Sequence, residues 1–261
     1  MPEKEKVVLS WSGGKDSAMA LYELRRSQGY EVVSLLTTVA AEYDRVSHHG
    51  VRTQLLEAQA AAVGLPLQKL SISTRSAHPC RTAGNDDVMG EYERLMTEMM
   101  LRCKAAGARA VAFGDIFLQD LRAYRERNLT SVGMKALFPI WQRDTAELVQ
   151  TFLDLGFKAY LSCVDAEKLG AAFAGRALDR HFVCHLPAGV DPCGERGEYH
   201  SFVFDGPIFH QPVRVRVGEV VLRDVRFFAD LLPADTSEGE SSGDPNDRAA
   251  NALTRGVTKS T

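Results

Sequence analysis

Short hydrophobic runs alternate with amphipathic stretches through the first half of the chain. Continuous apolar runs predict buried strands over 7–11, 31–38, 67–72 and 110–113. Apolar residues that recur every three or four positions predict helices over 16–28, 52–63 and 87–106. Strands that alternate with helices indicate an α/β fold with a doubly wound parallel sheet, in which ligands bind at the carboxyl ends of the strands.

The pattern changes after residue 138. It predicts a helix over 145–155, a strand over 158–163, a helix over 165–182 and a loop rich in glycine and proline over 187–198. Alternating residues then predict antiparallel strands over 199–204, 213–217 and 220–228, with a turn at Gly218-Glu219. We therefore predict a first domain over 1–138, a smaller C-terminal α+β domain over 139–233, and a disordered tail over 234–261.

Charge and cysteine content narrow the classes of partner. The formal net charge of −3 gives no basic footprint, which makes nucleic acid an unexpected partner. The five cysteines are scattered without a Cys-x-x-Cys pair, which is typical of reduced thiols. The charged N-terminus and the lack of a long apolar run in the sequence predict a cytoplasmic protein with no membrane partner.

A glycine-rich loop joins the first predicted strand to the first predicted helix, and it reads Ser12-Gly13-Gly14-Lys15-Asp16-Ser17. Adjacent glycines let backbone N–H groups approach an anion without a Cβ in the way, and the helix N-terminus behind them favours negative charge. Lys15 would add a positive charge and the two serines would add hydroxyl donors. Asp16 would stabilise the helix start or hold a cation such as Mg²⁺. A plain strand-to-helix turn is the alternative.

The loop resembles that of the PP-loop ATP pyrophosphatases, which carry Ser-Gly-Gly-x-Asp-Ser on an adenine nucleotide α-hydrolase-like sheet. The spacing of a Walker loop is absent from the sequence. The resemblance implies that ATP binds with its pyrophosphate on this loop while the α-phosphorus is attacked. It also implies an adenine site at the end of the second strand, near Thr38.

A narrower resemblance covers residues 7 to about 230. It rests on the following segments: His49-Gly50-Val51-Arg52, Gln59-Ala60, Gly64-Leu65-Pro66, Gly114-Asp115-Ile116, Arg125-Glu126, Pro139-Ile140-Trp141, the run from Asp191 to Phe202, and Asp205-Gly206-Pro207. Together they resemble the diphthine–ammonia ligase family. The resemblance implies a ligase that uses ATP and Mg²⁺ to adenylate a carboxylate, possibly on a protein, with release of AMP and pyrophosphate before ammonia forms the amide.

Asp-Pro-Cys-Gly and His200 resemble a bacterial branch of that family. The family's diphthamide enzymes carry a different run of residues at this place. The branch implies the same ATP chemistry on a different carboxylate.

Two further segments supply candidate site residues. Gly114 and Asp115 follow the fourth strand at the edge where the glycine loop lies, and Asp115 would hold Mg²⁺ or the ribose, or else cap a helix. Arg122, Arg125 and Glu126 share a helical face, as a phosphate clamp or as surface ion pairs. The resemblance favours a role for Glu126 in nucleotide binding.

The loop before the strand at 199–204 carries a second candidate site. Glu195, Glu198 and His200 would bind ammonia or the substrate and move protons, together with Lys15 as the catalytic set. An exposed polar hairpin loop is the alternative. Cys193 would be a nucleophile or, as we prefer, a buried thiol. A zinc site from the nearby histidines and cysteines fits none of the common ligand spacings.

Three functions remain open from the sequence. The first is an AMP-forming amide ligase, acting on diphthine or on another carboxylate. The second is a PP-loop enzyme that thiolates tRNA, which the missing Cys-x-x-Cys pair disfavours. The third is a nucleotide-binding sensor or scaffold without catalysis, for which a second acid/base site would be superfluous.

Overall fold

The computed structural model describes residues 3–40, 45–46, 50–72 and 86–234. The strands are β1 (Glu5–Ser10), β2 (Tyr30–Ala40), β3 (Arg45–Val46), β4 (Leu67–Ile72), β5 (Ala110–Ala112), β6 (Lys135–Leu137), β7 (Lys158–Asp165), β8 (Tyr199–Asp205), β9 (Val215–Arg223) and β10 (Arg226–Pro233). The helices are α1 (Lys15–Arg26), α2 (Thr53–Val63), α3 (Asp86–Ala105), α4 (Gln119–Ser131), α5 (Thr145–Asp154) and α6 (Arg180–Cys184).

The first sheet holds five parallel strands, and the two-residue β3 adds an antiparallel pairing to the end of β2. β2 and β4 lie on one side of β1, whereas β5 and β6 lie on the other. The strand order therefore reverses at β1. In open α/β sheets this position, at the carboxyl ends of the strands, is where ligands bind. The glycine loop leaves β1 at this position.

Helices cover both faces of this sheet, because alternate residues of each strand point to opposite sides. Val7, Leu9 and Leu35 pack with α1 and α2, whereas Val8 and Leu36 pack with α3 and α4. The predicted doubly wound α/β sheet is thereby confirmed.

The second sheet is antiparallel, with the order β8-β7-β10-β9. The hydrophobic cluster that buries α1 and α2 continues into it without interruption, through Phe152, Phe157 and Leu161 to Phe182 and Phe202. The two sheets therefore share one core. The division into domains over 1–138 and 139–233 stays a prediction, and the predicted tail over 234–261 lies outside the described residues after Ala234.

Three predicted elements are wrong. The strand predicted over 220–228 is divided between β9 and β10, because the chain turns between them. Residues 165–182 do not form one helix, because Gly175, Arg176 and Leu178 hydrogen-bond to Leu161 and Ala159 along the part of β7 that β10 leaves open. Only the short turn Ala171–Phe173 and α6 are helical there. In this segment, hydrogen bonding to β7 determines the backbone conformation, although the apolar residues have helical periodicity.

The turn predicted at Gly218-Glu219 is a β-bulge inside β9. Gly218 and Glu219 together oppose Asp230, and a Cβ on Gly218 would lie 2.8 Å from the Asp230 carbonyl oxygen. The hairpin turns instead at Asp224, whose φ is 52°. A glycine inside a strand pattern marks either a turn or a bulge, and here the close approach of β10 selects the bulge.

The shared core predicts a contrast between two large apolar side chains. Phe182 is 0% exposed and makes edge contacts with Phe173 and Tyr199, whereas Leu222 on β9 is 58% exposed. Phe182→Ala should lower the free energy of unfolding by about 3–5 kcal/mol. Leu222→Ala should change it by less than about 0.5 kcal/mol.

Urea denaturation of both variants measures the difference. Equal losses of stability in the two variants would contradict the placement of Phe182 in the core.

Candidate functional site

The glycine loop is held from below by a buried glutamine on α2. Gln59 donates from Nε2 to the carbonyl oxygens of Gly13 at 2.9 Å and Val203 at 2.5 Å. Its Oε1 accepts a hydrogen bond from the Trp11 indole at 3.0 Å. The Val203 N–H donates to the same Gly13 oxygen at 2.9 Å. The loop is thus fixed to α2 and to the second sheet at once.

The positive φ of Gly13 and the crowding around it require glycine. Its φ is +78°, and a Cβ there would lie 2.5 Å from Gln59 Oε1 and 2.6 Å from Leu56 Cδ2. L-residues with a side chain rarely adopt that conformation. At Gly114 glycine is required because the backbone of Asp16 lies so near, and a Cβ added there would be 2.8 Å from the Asp16 carbonyl carbon. The loop therefore packs against the end of β5.

The serines of the loop bind one another and its backbone. Ser17 Oγ donates to the Gly14 carbonyl at 2.9 Å, and Ser12 Oγ lies 3.3 Å from Ser17 Oγ. The Gly14 N–H donates to Ser12 Oγ at 3.3 Å. These contacts fold the six residues into a compact turn in front of the α1 N-terminus. The Ser201 hydroxyl on β8 accepts the first helical N–H, that of Lys15, at 3.1 Å.

The ammonium of Lys15 lies between α1 and the C-terminal loop over 191–198. The residue is 4% exposed, and Nζ contacts Asp16 Oδ1 at 2.7 Å and Oδ2 at 2.8 Å. Nζ also lies 5.6 Å from the centre of the Tyr199 ring. Burial opposes the charge, but the Asp16 carboxylate, together with smaller contributions from Cys193 and Tyr199, raises the pKa of Lys15 above its ordinary value. Lys15 therefore stays charged.

Glu198 and Asp191 shape that C-terminal loop. Glu198 is 2% exposed, and its carboxylate accepts the backbone N–H groups of Asp191 at 3.1 Å and Arg196 at 2.9 Å. Asp191 accepts the N–H of Cys193 at 2.8 Å and the Thr145 hydroxyl at 2.9 Å. The geometry gives Glu198 a positioning role, because both of its oxygens are occupied by the loop itself.

Glu195 is the carboxyl group that the loop presents toward the glycine loop. Burial raises its pKa to about 8, and the charges of Asp16, Asp115 and Asp191 act in the same direction while Lys15 opposes them. Four carboxyl groups, one from α1, one from the end of β5 and two from the C-terminal loop, are therefore close enough to interact electrostatically. The sequence offers these residues only as separate candidates.

His200 does not join this group. Successive strand residues face opposite sides, so the side chain of His200 lies on the face of β8 away from Tyr199 and Ser201. It is half-buried and sits opposite Cys163 in the sheet. Its catalytic assignment stays a prediction. Cys193 is a buried thiol that donates to the Thr145 carbonyl, and burial raises its pKa to about 12, which disfavours a nucleophile.

The β5–α4 segment is built from ion pairs. Asp115 does not cap α4; it binds Arg125, with 2.7 Å between Arg125 Nε and Oδ2. Burial raises the pKa of Asp115 despite that arginine. Glu126 binds Arg122 at 2.8 Å, and Arg122 lies 4.7 Å from the Trp141 ring centre. Within the described structure this face consists of ion pairs and cation–π contacts.

Other predicted residues are placed as follows. Thr38 is half-buried on β2, two positions past Leu36, the last residue that pairs with β1. His49 lies outside the described residues. Where side chains are described, no three histidine, cysteine or acidic residues are placed to hold a metal ion together. None of the helices in the described ranges is long and apolar enough to cross a bilayer.

Two open clefts lie away from the glycine loop. One, of about 350 Å³, lies between the end of α1 and residues 137–139. The other, of about 370 Å³, lies between α2 and residues 211–214. Neither cleft is lined by a residue of the glycine loop or by Glu195. The candidate site is therefore defined by the polar groups that converge between the glycine loop and the loop over 191–198.

Sequence comparisons identify the family. The diphthamide synthase N-terminal domain matches residues 5–136, and the diphthamide synthase C-terminal domain matches residues 144–231. The chain therefore belongs to the diphthamide synthase family. The predicted membership in the diphthine–ammonia ligase family is confirmed, and the chain is an enzyme of the carbon–nitrogen ligase class. The PP-loop superfamily and the bacterial branch stay predictions.

Curated relatives carry the name diphthine–ammonia ligase. The protein of Danio rerio is 29% identical over 243 residues, covering 86% of this chain and 91% of the relative. That of Homo sapiens is 28% identical, covering 84% and 85%. A tRNA thiolase from Methanococcus maripaludis, solved with its iron–sulfur cluster, superposes with a TM-score of 0.38 at 16% identity over 59% of each chain. That superposition carries no argument about function.

The raised pKa of Glu195 predicts a dependence of stability on pH. The folded state holds its proton up to about pH 8, whereas the unfolded chain releases it near the ordinary value of 4.5. The free energy of unfolding should therefore fall as pH rises between these values, and Glu195→Gln should remove this part of the slope. The variant should be more stable than the wild type above about pH 8.

Denaturation across this pH range measures the slope. Glu167→Gln, an exposed change in the same half of the chain, is the matched control. A Glu195→Gln slope identical to that of the wild type would contradict the prediction.

Proposed function

We propose that the protein is an ATP-dependent amide ligase of the diphthine–ammonia ligase type. ATP would bind with its pyrophosphate on Gly13, Gly14 and Ser17. A carboxylate oxygen of the substrate would attack the α-phosphorus, and pyrophosphate would leave. Ammonia would then attack the acyl carbon, AMP would leave, and an amide would remain. The observation that carries the proposal is the position of the glycine loop at the carboxyl end of β1, where the strand order reverses.

The adenylation step solves a problem of leaving groups. Ammonia cannot displace oxide from a carboxylate at neutral pH, whereas AMP leaves readily. The enzyme's task is to align the carboxylate with the α-phosphorus and to neutralise the departing pyrophosphate. The α1 N-terminus and the Lys15 ammonium supply positive charge on one side of the loop. An arriving phosphate would compete with Asp16 for that ammonium.

The carboxyl groups around the loop fit Mg²⁺. Mg²⁺ prefers oxygen ligands and is usually held by one or two carboxylates together with substrate phosphates. Asp16 and Asp115 each raise the pKa of Glu195, so the negative charges converge on one region that a cation would relieve. Asp16 and Asp115 would hold the ion, and it would supply charge neutralisation on phosphate oxygens.

Glu195 is suited to the second step. Attack by ammonia leaves a surplus proton on nitrogen, and an efficient general base has a pKa near the working pH. Burial is the largest cause of the raised pKa of Glu195, which is about 8 without a bound cation. Burial would continue to raise this pKa after Mg²⁺ neutralised Asp16 and Asp115, although by less in total. Glu198 would act indirectly, by holding the loop that carries Glu195. We also propose that Thr38 contacts the adenine and that Glu126 contributes to nucleotide binding. Both assignments rest on the family resemblance.

The acceptor is proposed at two levels. Diphthine is the substrate named by the relatives, and the coverage of most of their length supports a carboxylate of that kind. A different carboxylate is the alternative that the segment around Cys193 favours. Ammonia is the proposed nitrogen donor in both cases, and we propose a cytoplasmic location.

The reaction predicts AMP as the nucleotide product. Incubation with α-labelled ATP, ammonia and candidate carboxylates should yield AMP and pyrophosphate. Lys15→Met, which keeps the side-chain length without the charge, should lower kcat/KM for ATP by about a hundredfold or more. Lys69→Met, on β4 of the same sheet, is the control. ADP as the product would reject the ligase, and tight ATP binding without turnover would favour a sensor.

The same assay separates the candidate residues for amide formation. Glu195→Gln should leave ATP binding intact and lower the rate of amide formation by about 10²–10⁴-fold, the usual range for a general base. The pH–rate profile of this variant should also lack the part of the wild-type profile that reflects titration of the Glu195 carboxyl. His200→Ala tests the sequence-based assignment: full turnover in that variant would remove His200 from the site.

A further inference from the structure

We propose that Gln59 is a positioning residue that aims the Gly14 N–H at the nucleotide. This inference rests on the proposed function, because it assumes that phosphate binds at the glycine loop. Gln59 lies on α2 and is separated from the glycine loop in sequence by α1, β2 and β3. It takes no part in the chemical steps proposed for the reaction. Its place in the structure is nevertheless directly behind the peptide that joins the two glycines.

The Gln59 amide uses both of its N–H donors and accepts one hydrogen bond through its oxygen. The side chain is 0% exposed on α2, a helix whose other buried residues are mostly apolar. Its two N–H donors bind the carbonyl oxygens of Gly13 and Val203, and its oxygen accepts from Trp11. A buried amide with three partners is costly to replace, since each unpaired polar group loses its compensation. The residue therefore fixes three separate segments relative to one another.

Fixing the Gly13 oxygen also fixes the direction of the next N–H. The peptide bond is planar and trans, so the C=O of Gly13 and the N–H of Gly14 point in opposite directions. Gln59 and the Val203 N–H hold that oxygen toward the protein interior from two sides. The Gly14 N–H is thereby directed away from the interior, into the concave side of the loop.

In this structure the directed N–H makes only a long contact. Its distance to Ser12 Oγ is 3.3 Å, at the weak end of the range for an N–H donor. A phosphate oxygen carries a full charge and would compete well with a neutral hydroxyl for this donor. Because two glycines flank the peptide, its rotation is resisted by few steric barriers. The hydrogen bonds from Gln59 and Val203 supply the missing restraint.

Other side chains of similar size would not serve. Glutamate at residue 59 would place acceptors against the two carbonyl oxygens. Methionine would remove the hydrogen bonds that Gln59 makes to all three of its partners. Asparagine keeps the amide but is one methylene shorter, so it would not reach both carbonyl oxygens. These differences define the variants Gln59→Met and Gln59→Asn.

The experiment compares ligands with and without phosphate on the full chain. Isothermal titration gives Kd for ATP, inorganic pyrophosphate and adenosine, and thermal melting gives Tm. Both Gln59 variants should weaken ATP and pyrophosphate by about tenfold or more, the effect of losing one well-aimed hydrogen bond to a charged group. Adenosine should bind as it does to the wild type.

The control is Gln68→Met. Gln68 is a partly buried glutamine on β4 that donates to Ser34 Oγ at 2.8 Å, within the same sheet but away from the loop. It should lower Tm without changing any of the three Kd values. Gln59→Asn keeps an amide in the core and provides a folded variant if Gln59→Met does not fold.

Two results would overturn the inference. One is wild-type affinity for ATP and pyrophosphate in the folded Gln59 variants. The other is an equal loss for adenosine, which a merely structural role would produce. A wild-type protein that binds neither ATP nor pyrophosphate would instead overturn the proposed function, and the inference with it.

Discussion

The structure depends on one backbone carbonyl, that of Gly13. It accepts hydrogen bonds from a side chain on α2 and from a backbone N–H on β8, so it joins the first sheet, one of its helices and the second sheet. A left-handed glycine is needed because no Cβ fits between Leu56 and Gln59. The loop is thus a junction that both halves of the chain build. Its shape is a property of the whole fold.

Groups of opposite charge lie close together around this junction. Lys15 is buried against Tyr199, yet it remains charged because Asp16 binds it with both oxygens. Glu195, Asp16 and Asp115 place acidic groups beside that single ammonium. A site that binds a polyanion needs surplus positive charge, and here that surplus would come from the helix N-terminus and a cation. The acidic groups suit the proton transfer that amide formation requires.

Much of the fold follows from the sequence, and the reasons are local. Apolar runs and helical periodicity identified the α/β class and, except for the two-residue β3, the strands and helices through α3. Gly64 marked the end of α2, where its φ is left-handed at 76°. The errors at 165–182 and at Gly218 arose where a distant strand decides the local conformation. A single sequence contains the propensities of a segment but not the open edge with which it pairs.

The same limit applies to the candidate site. The glycine loop could be picked out because adjacent glycines with a lysine at a helix start indicate an anion site. Asp115 follows the fourth strand at the same edge of the sheet, and Glu195 belongs to the run of residues that carries the family resemblance. Gln59 was noticed only as part of a family resemblance, although a glutamine on the apolar stripe of Leu55, Leu56 and Ala60 is a signal in itself. The inward role of Glu198 depends on how its loop closes. The face of β8 on which His200 lies depends on which side of that strand meets the helices of the first sheet.

The contact between Gly13 and Val203 has a consequence for solubility. β8 is the outermost strand of its sheet, and both backbone groups of Val203 point away from β7. Unpaired edges of this kind invite strand addition from other molecules. The glycine loop and Gln59 cover that stretch of the edge. Displacing the loop would therefore uncover a template for intermolecular pairing, which ties retention of the loop to resistance against aggregation.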